Sequence, residues 1–106
     1  MDAYAHLVYG LTRKFPKEEL YGASSQLRRA ALSVVLNYIE GFARQRDRVM
    51  KNFLRISYGS LKESQYLLKF SLDENWIGVE ECNRATVLAS EIGAMLWSTI
   101  DGIKDT

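Results

Sequence analysis

The stretch from Leu27 to Phe42 constrains this chain most. Wound at the helical period, it is apolar over more than half of its circumference. Leu27, Ala31, Val34, Tyr38 and Phe42 form one row, and Leu32, Leu36, Ile39 and Ala43 a second. Between the rows runs a narrow polar line: Arg29, Ser33, Asn37, Glu40 and Arg44, at spacings of four, four, three and four. Such a helix does not suit the surface of a small domain with one face in water. It requires apolar neighbours on two sides, and its polar groups require partners, because burying an unpaired polar group is costly.

The flanking segments offer those neighbours. Residues 3–14 place Tyr4, Leu7, Val8 and Leu11 at helical spacing, and Phe15 just beyond them continues the row. Phe15-Pro16 ends that helix, since a residue before proline is pushed out of α geometry. Pro16–Leu20 reads as a short turn closed by Gly22, and Ser24 or Ser25 as the cap of the central helix. The central helix runs to about Ala43, and Asp47 is the expected cap of a third helix from Arg48 to Asp73. That helix would be ~40 Å long, with Gly59-Ser60 as the point where another backbone comes close. Asn75-Trp76-Ile77-Gly78 makes the next turn, with Trp76 folding back over the bundle end.

The fourth helix, from Val79 to Lys104, carries the row Cys82, Ala85, Ala89, Ile92, Leu96, Thr99 and Ile103. Glu80 and Glu81 in its first turn and Lys104 in its last agree with the helix dipole. No strand-like alternation persists. The expected fold is all-α, a single domain over residues 1–106 built as an antiparallel up-down-up-down four-helix bundle.

The residue inventory speaks against catalysis. His6 is the only histidine and Cys82 the only cysteine, so neither a di-iron Glu-x-x-His bundle nor a multi-cysteine zinc site can be assembled. The glycines form no phosphate loop, and Ser33 has no histidine base on its helix. The chain reads as a non-enzyme with no catalytic residue, metal site or cofactor. With no apolar run long enough for a bilayer and no signal segment, a cytoplasmic protein with no membrane partner is expected.

Two sets of residues remain. Arg29, Ser33, Asn37 and Glu40, with Glu63 on the third helix, read as a structural polar network that fixes register between helices. Arg44 at i+4 is a natural partner for Glu40. The second set is basic. Residues 28–55 hold seven basic groups against Glu40 and Asp47, whereas residues 56–106 hold four basic against eight acidic. A chain split this way presents a basic face to a polyanion, or pairs oppositely charged helices within or between subunits. The densest cluster is Arg44, Arg46, Arg48, Lys51 and Arg55, at the start of the third helix, where arginines and free backbone N–H groups suit phosphate. Tyr58 is the nearest aromatic, so backbone rather than base recognition of RNA or DNA is expected.

Phe15-Pro16-Lys17-Glu18-Glu19-Leu20-Tyr21-Gly22, Ser25-Gln26-Leu27-Arg28-Arg29-Ala30-Ala31 with Ser33, Asn37-x-x-Glu40-Gly41 and Phe53-Leu54-x-Ile56-x-x-Gly59-Ser60-Leu61-x-Glu63 together resemble a known group. It is the four-helix-bundle family encoded in intervening sequences of bacterial 23S ribosomal RNA genes, similar in fold to the accessory variability determinant of diversity-generating retroelements. The resemblance covers nearly the whole chain, which looks shortened at its N-terminus. Where the family commonly has Asn-Ile-Ala-Glu-Gly, this chain has Asn37-Tyr38-Ile39-Glu40-Gly41, with bulkier groups on the contact face. The resemblance implies a ring-shaped homo-oligomer, a homopentamer. Through the accessory protein it also implies binding to nucleic acid and to a reverse transcriptase.

Overall fold

The computed structural model of the protein describes residues 1–104. Among them are four helices and no strand: α1 (Asp2–Thr12), α2 (Ala23–Ala43), α3 (Asp47–Asp73) and α4 (Val79–Gly102). A short 3-10 turn over Lys17–Glu19 links α1 to α2. The body measures 46 × 24 × 18 Å, elongated as the length of α3 requires. α2 packs on α1 and α3, and α4 packs on α3 and α1, so each helix has two neighbours around a common core. None of the described helices is long and apolar enough to cross a membrane.

A seven-residue repeat on α3 builds the centre. Leu54, Leu61 and Leu68 alternate with Ser57, Ser64 and Ser71, and every one of the six is fully enclosed. Such alternation is the seam of helices that pack nearly parallel to one another. α4 answers with Cys82, Ala85, Ala89, Ile92 and Leu96, then Ile100 rather than Thr99. Small residues on both sides bring the two helices close. Gly93 of α4 lies where an added Cβ would stand 3.4 Å from Leu61.

The serines are satisfied locally or across the core. Ser57 Oγ donates to the Val34 carbonyl at 2.6 Å and ties α3 to α2. Ser64 Oγ donates to the Leu61 carbonyl at 2.7 Å. With that hydrogen committed, Ser64 accepts from the Tyr4 hydroxyl at 2.6 Å, a bond that crosses from α1 to α3. No buried side-chain polar atom among the described residues lacks a partner.

Three local expectations change. Gly59 sits on the outer face of α3 with open space around it; the close approach is at Gly41 instead. A Cβ there would stand 3.2 Å from the Met50 carbonyl oxygen and 3.3 Å from both Leu54 and Phe53, because α2 and α3 converge towards their three-residue link. Neither Ser24 nor Ser25 caps α2, since the helix already begins at Ala23 after Gly22. The Glu19 carboxylate reaches over from the preceding turn and accepts from the Ala23 N–H at 3.2 Å. Asp47 likewise lies inside the first turn of α3, with Arg46 in the capping position.

The α3–α4 turn forms as expected, through specific geometry. Asn75 takes the left-handed conformation (φ 64°). The N–H groups of Asn75 and Trp76 then return to the carbonyls of Leu72 and Ser71 at 3.0 and 2.9 Å. This is a Schellman ending, a six-to-one and a five-to-two bond that satisfy the last carbonyls of α3. Trp76 folds back over the bundle end, its ring 5.1 Å from Phe15 and 5.8 Å from Phe70.

On α2 the two apolar rows part company. In the first row Leu27, Ala31 and Val34 are fully enclosed and only Phe42 at its end is half exposed, whereas Leu32, Leu36 and Ile39 of the second are 38%, 59% and 57% exposed. One chain supplies neighbours for one side of this helix only. The expected second side is bare, because α1 and α3 flank α2 and no other described helix lies across its back.

Candidate nucleic-acid interface

The five expected phosphate-binding residues do not act as one cluster. Arg44 ends α2 and turns back onto it. Its guanidinium lies 5.2 Å from the Phe53 ring centre and 3.4 Å from the Glu40 carboxylate, with half its side chain in water. An exposed i,i+4 pair of this kind contributes little to stability. Arg46 and Arg48 stand free at the corner and line a shallow depression of about 470 Å³ with Gln45, Asp47 and Val49. Asp47 between them dilutes the corner's positive charge.

Lys51 is elsewhere. It is buried at 8% exposure, and its Nζ donates to the Ile103 carbonyl at 3.1 Å. The last carbonyls of a helix lack partners within it, and a cation there also complements the dipole. Lys51 therefore stops the C-terminal end of α4 and, although it also lines a groove between α3 and α4 beside Arg55, it is no part of the exposed basic line.

Arg55 belongs to a different pattern. Arg48, Arg55, Lys62 and Lys69 are each seven residues apart and all exposed. At 100° per residue they drift by only ~20° per interval, so they form one line along the outside of α3. The line spans ~31 Å. Counting charge density picked out the corner and missed this line, although spacing alone would have found it.

Aromatic groups flank the line. Between α3 and α4 lies a groove of about 310 Å³ whose walls include Arg55, Tyr58, Gly59, Trp97 and Asp101. Trp97 is 60% exposed, its ring centre 5.7 Å from that of Tyr58. The Lys62 ammonium sits over the Tyr58 ring at 5.3 Å. Sequence reasoning placed Tyr58 near the cluster but not Trp97, which reaches it only through the register of α4 on α3.

The expected polar network is smaller than foreseen and not enclosed. Asn37 Nδ2 donates to the Ser33 carbonyl and hydroxyl at 2.9 and 2.8 Å, and Ser33 meets Ser60 of α3 at 2.8 Å. Arg29 and Glu63 are exposed at the edges of a polar depression that Ser33 and Ser60 also line. Glu40 is paired outward with Arg44. The line thus opens along the α2–α3 seam, because α2 turns it sideways rather than inward. Among the described residues no group of three His, Cys, Asp or Glu side chains is placed to hold a metal ion.

The comparisons with known proteins agree with this architecture. No curated protein matches the chain. A solved structure of a protein of unknown function, from the S23 ribosomal protein family of Bacteroides thetaiotaomicron VPI-5482, superposes with a TM-score of 0.85. It is 22% identical, and the match covers 92% of each chain, which establishes a shared fold. The family model described as 23S rRNA-intervening sequence protein matches residues 2–98. The chain belongs to the 23S rRNA-intervening sequence protein family.

Proposed function

We propose that the protein is a non-enzymatic, homo-oligomeric helical bundle of the cytoplasm that binds the backbone of RNA or DNA. Its setting is ribosomal RNA or a reverse-transcriptase complex, as the family resemblance implies. The observation that carries the binding is the exposed line Arg48, Arg55, Lys62 and Lys69, with Arg46 at its head. A regular row of cations on a rigid helix suits a polyphosphate, whose affinity comes from charge neutralisation and counterion release.

Oligomerisation through the back of α2 is supported by the exposed Leu32, Leu36 and Ile39. A ring of copies, five in the family-derived expectation, would repeat the basic line around its rim and multiply a weak site by avidity. The short links 44–46 and 74–78 favour up-down-up-down connections within each copy.

The test is fluorescence anisotropy with a structured ribosomal RNA fragment at several salt concentrations. Affinity should fall steeply with salt. A triple change of Arg48, Arg55 and Lys62 to Glu should lower it at least tenfold and flatten the salt dependence by roughly two to three in log–log slope. RNA binding untouched by the triple change would refute the reading. Loss of assembly in the same variant would favour an alternative scaffold in which this line pairs with acidic surfaces of a neighbour.

A further inference from the structure

The α3–α4 groove has features that backbone binding does not use. Trp97 leaves most of a large ring in water, available for contact beside Tyr58. Its neighbour Tyr58 is tilted 48° to it, so the two rings form an angled wall rather than a closed stack. Gly59 lines the outer rim of this space with no atom within 4 Å of where a Cβ would be, which keeps the groove open on the α3 side. Arg55 and Lys62 of the basic line edge the groove on the α3 side, and Asp101, one turn beyond Trp97, stands on the α4 side. At about 310 Å³ the groove is at the small end of ligand pockets, which run from ~300 to ~1,000 Å³.

We propose that this groove stacks an unpaired nucleobase of a single-stranded or looped nucleic acid whose phosphates lie on the Arg55–Lys62 edge. Base–aromatic stacking needs an exposed ring, a gap beside it and cations for the flanking phosphates, and the groove has all three. The Asp101 carboxylate adds an acceptor for a base amino or imino N–H. A peptide side chain would gain the same apolar contact but would leave the row of cations unanswered, so the charge favours a nucleic acid. The inference rests on the proposed nucleic-acid binding and names where bases, rather than backbone, are held.

The experiment compares a single-stranded oligonucleotide with a fully paired duplex of the same length, each titrated against the full-length protein and read by anisotropy. Trp97→Ala and Gly59→Leu are tested beside the parent. The first removes the ring. The second narrows the groove at its rim while favouring the helix. Each should lower single-strand affinity roughly tenfold and leave duplex affinity unchanged, and Trp97→Tyr should restore most of the loss. Thermal unfolding should be nearly unaltered for Trp97→Ala and should rise by a few degrees for Gly59→Leu, since both positions are exposed and leucine favours the helix over glycine. Single-strand binding that survives both changes would overturn the inference while leaving backbone binding standing. A loss of assembly by Trp97→Ala would overturn it too, by assigning the groove to a subunit contact. If neither nucleic acid binds the parent, both readings fail.

Discussion

Two glycines show how far a residue's role depends on which way its helix is turned. Gly41 has α3 backbone where a methyl group would go, whereas Gly59 has open space. Gly41→Ala should therefore destabilise the protein on the order of 1 kcal/mol net, overpacking outweighing the gain in helix propensity. Gly59→Ala should stabilise it by ~0.5–1 kcal/mol. Urea midpoints of the two variants should move in opposite directions; a shared direction would contradict the assigned crossing. Tyr4 is a second such residue. Burial pushes its phenol above the ordinary value of 10.0, against a smaller lowering by the Ser64 hydrogen bond. A raised folded-state value means the contribution is whole below pH 10 and is lost as pH climbs through the folded-state titration. Tyr4→Phe should cost about 1 kcal/mol at neutral pH and should flatten the alkaline limb of a stability–pH curve. An unchanged limb would place the alkaline sensitivity elsewhere. Neither role was legible in the sequence, where both glycines sit in helical runs and Tyr4 is one more apolar position.

At the scale of elements, periodicity carried nearly everything. All four helices could be placed from apolar spacing because each buries one face, and the turn at Asn75–Gly78 could be placed from its composition. Helix starts were less legible, since their backbone donors are met by groups from outside the expected position. Glu19 serves α2, and at α4 the Glu81 carboxylate accepts from the Gly78 N–H at 3.1 Å while also pairing with Lys14 of the α1–α2 link. Helix α1 is held to α2 by Arg28, whose Nε donates to Thr12 Oγ1 at 2.7 Å while its guanidinium covers Tyr9 at 4.8 Å. At the end of α3, Asn75→Val should destabilise by ~1–2 kcal/mol, because a β-branched side chain resists the left-handed conformation. Asn75→Gly should be neutral or slightly stabilising. Calorimetric midpoints should separate the pair by several degrees, at about 4–8 °C per kcal/mol for a domain of this size.

For the whole molecule, the bare back of α2 is the feature most in need of a partner. If the proposed oligomer forms through this face, Leu36→Lys together with Ile39→Lys should leave the fold intact and yield a monomer by light scattering on a sizing column, with the parent eluting larger. A parent that is itself monomeric would count against the ring. The candidate site was half legible: the cations are visible in the sequence, but their division among corner, line and helix stop is not. Lys51 and Arg55 are one turn apart, yet one is buried against α4 and the other is in water. Only the packing of α4 on α3 decides that. The Tyr4–Ser64, Lys14–Glu81 and Phe15–Trp76 contacts, which join residues sixty or more positions apart, imply an order of events as the chain folds. Neighbouring helices meet through short links, so the α2–α3 pair closes at little entropic cost, while docking α1 on the far helices must wait for both ends of the chain. Ser57→Ala, between α2 and α3, should slow folding. Phe15→Leu, at the long-range closure, should chiefly speed unfolding in stopped-flow measurements, and the reverse pattern would put the nucleus at the closure.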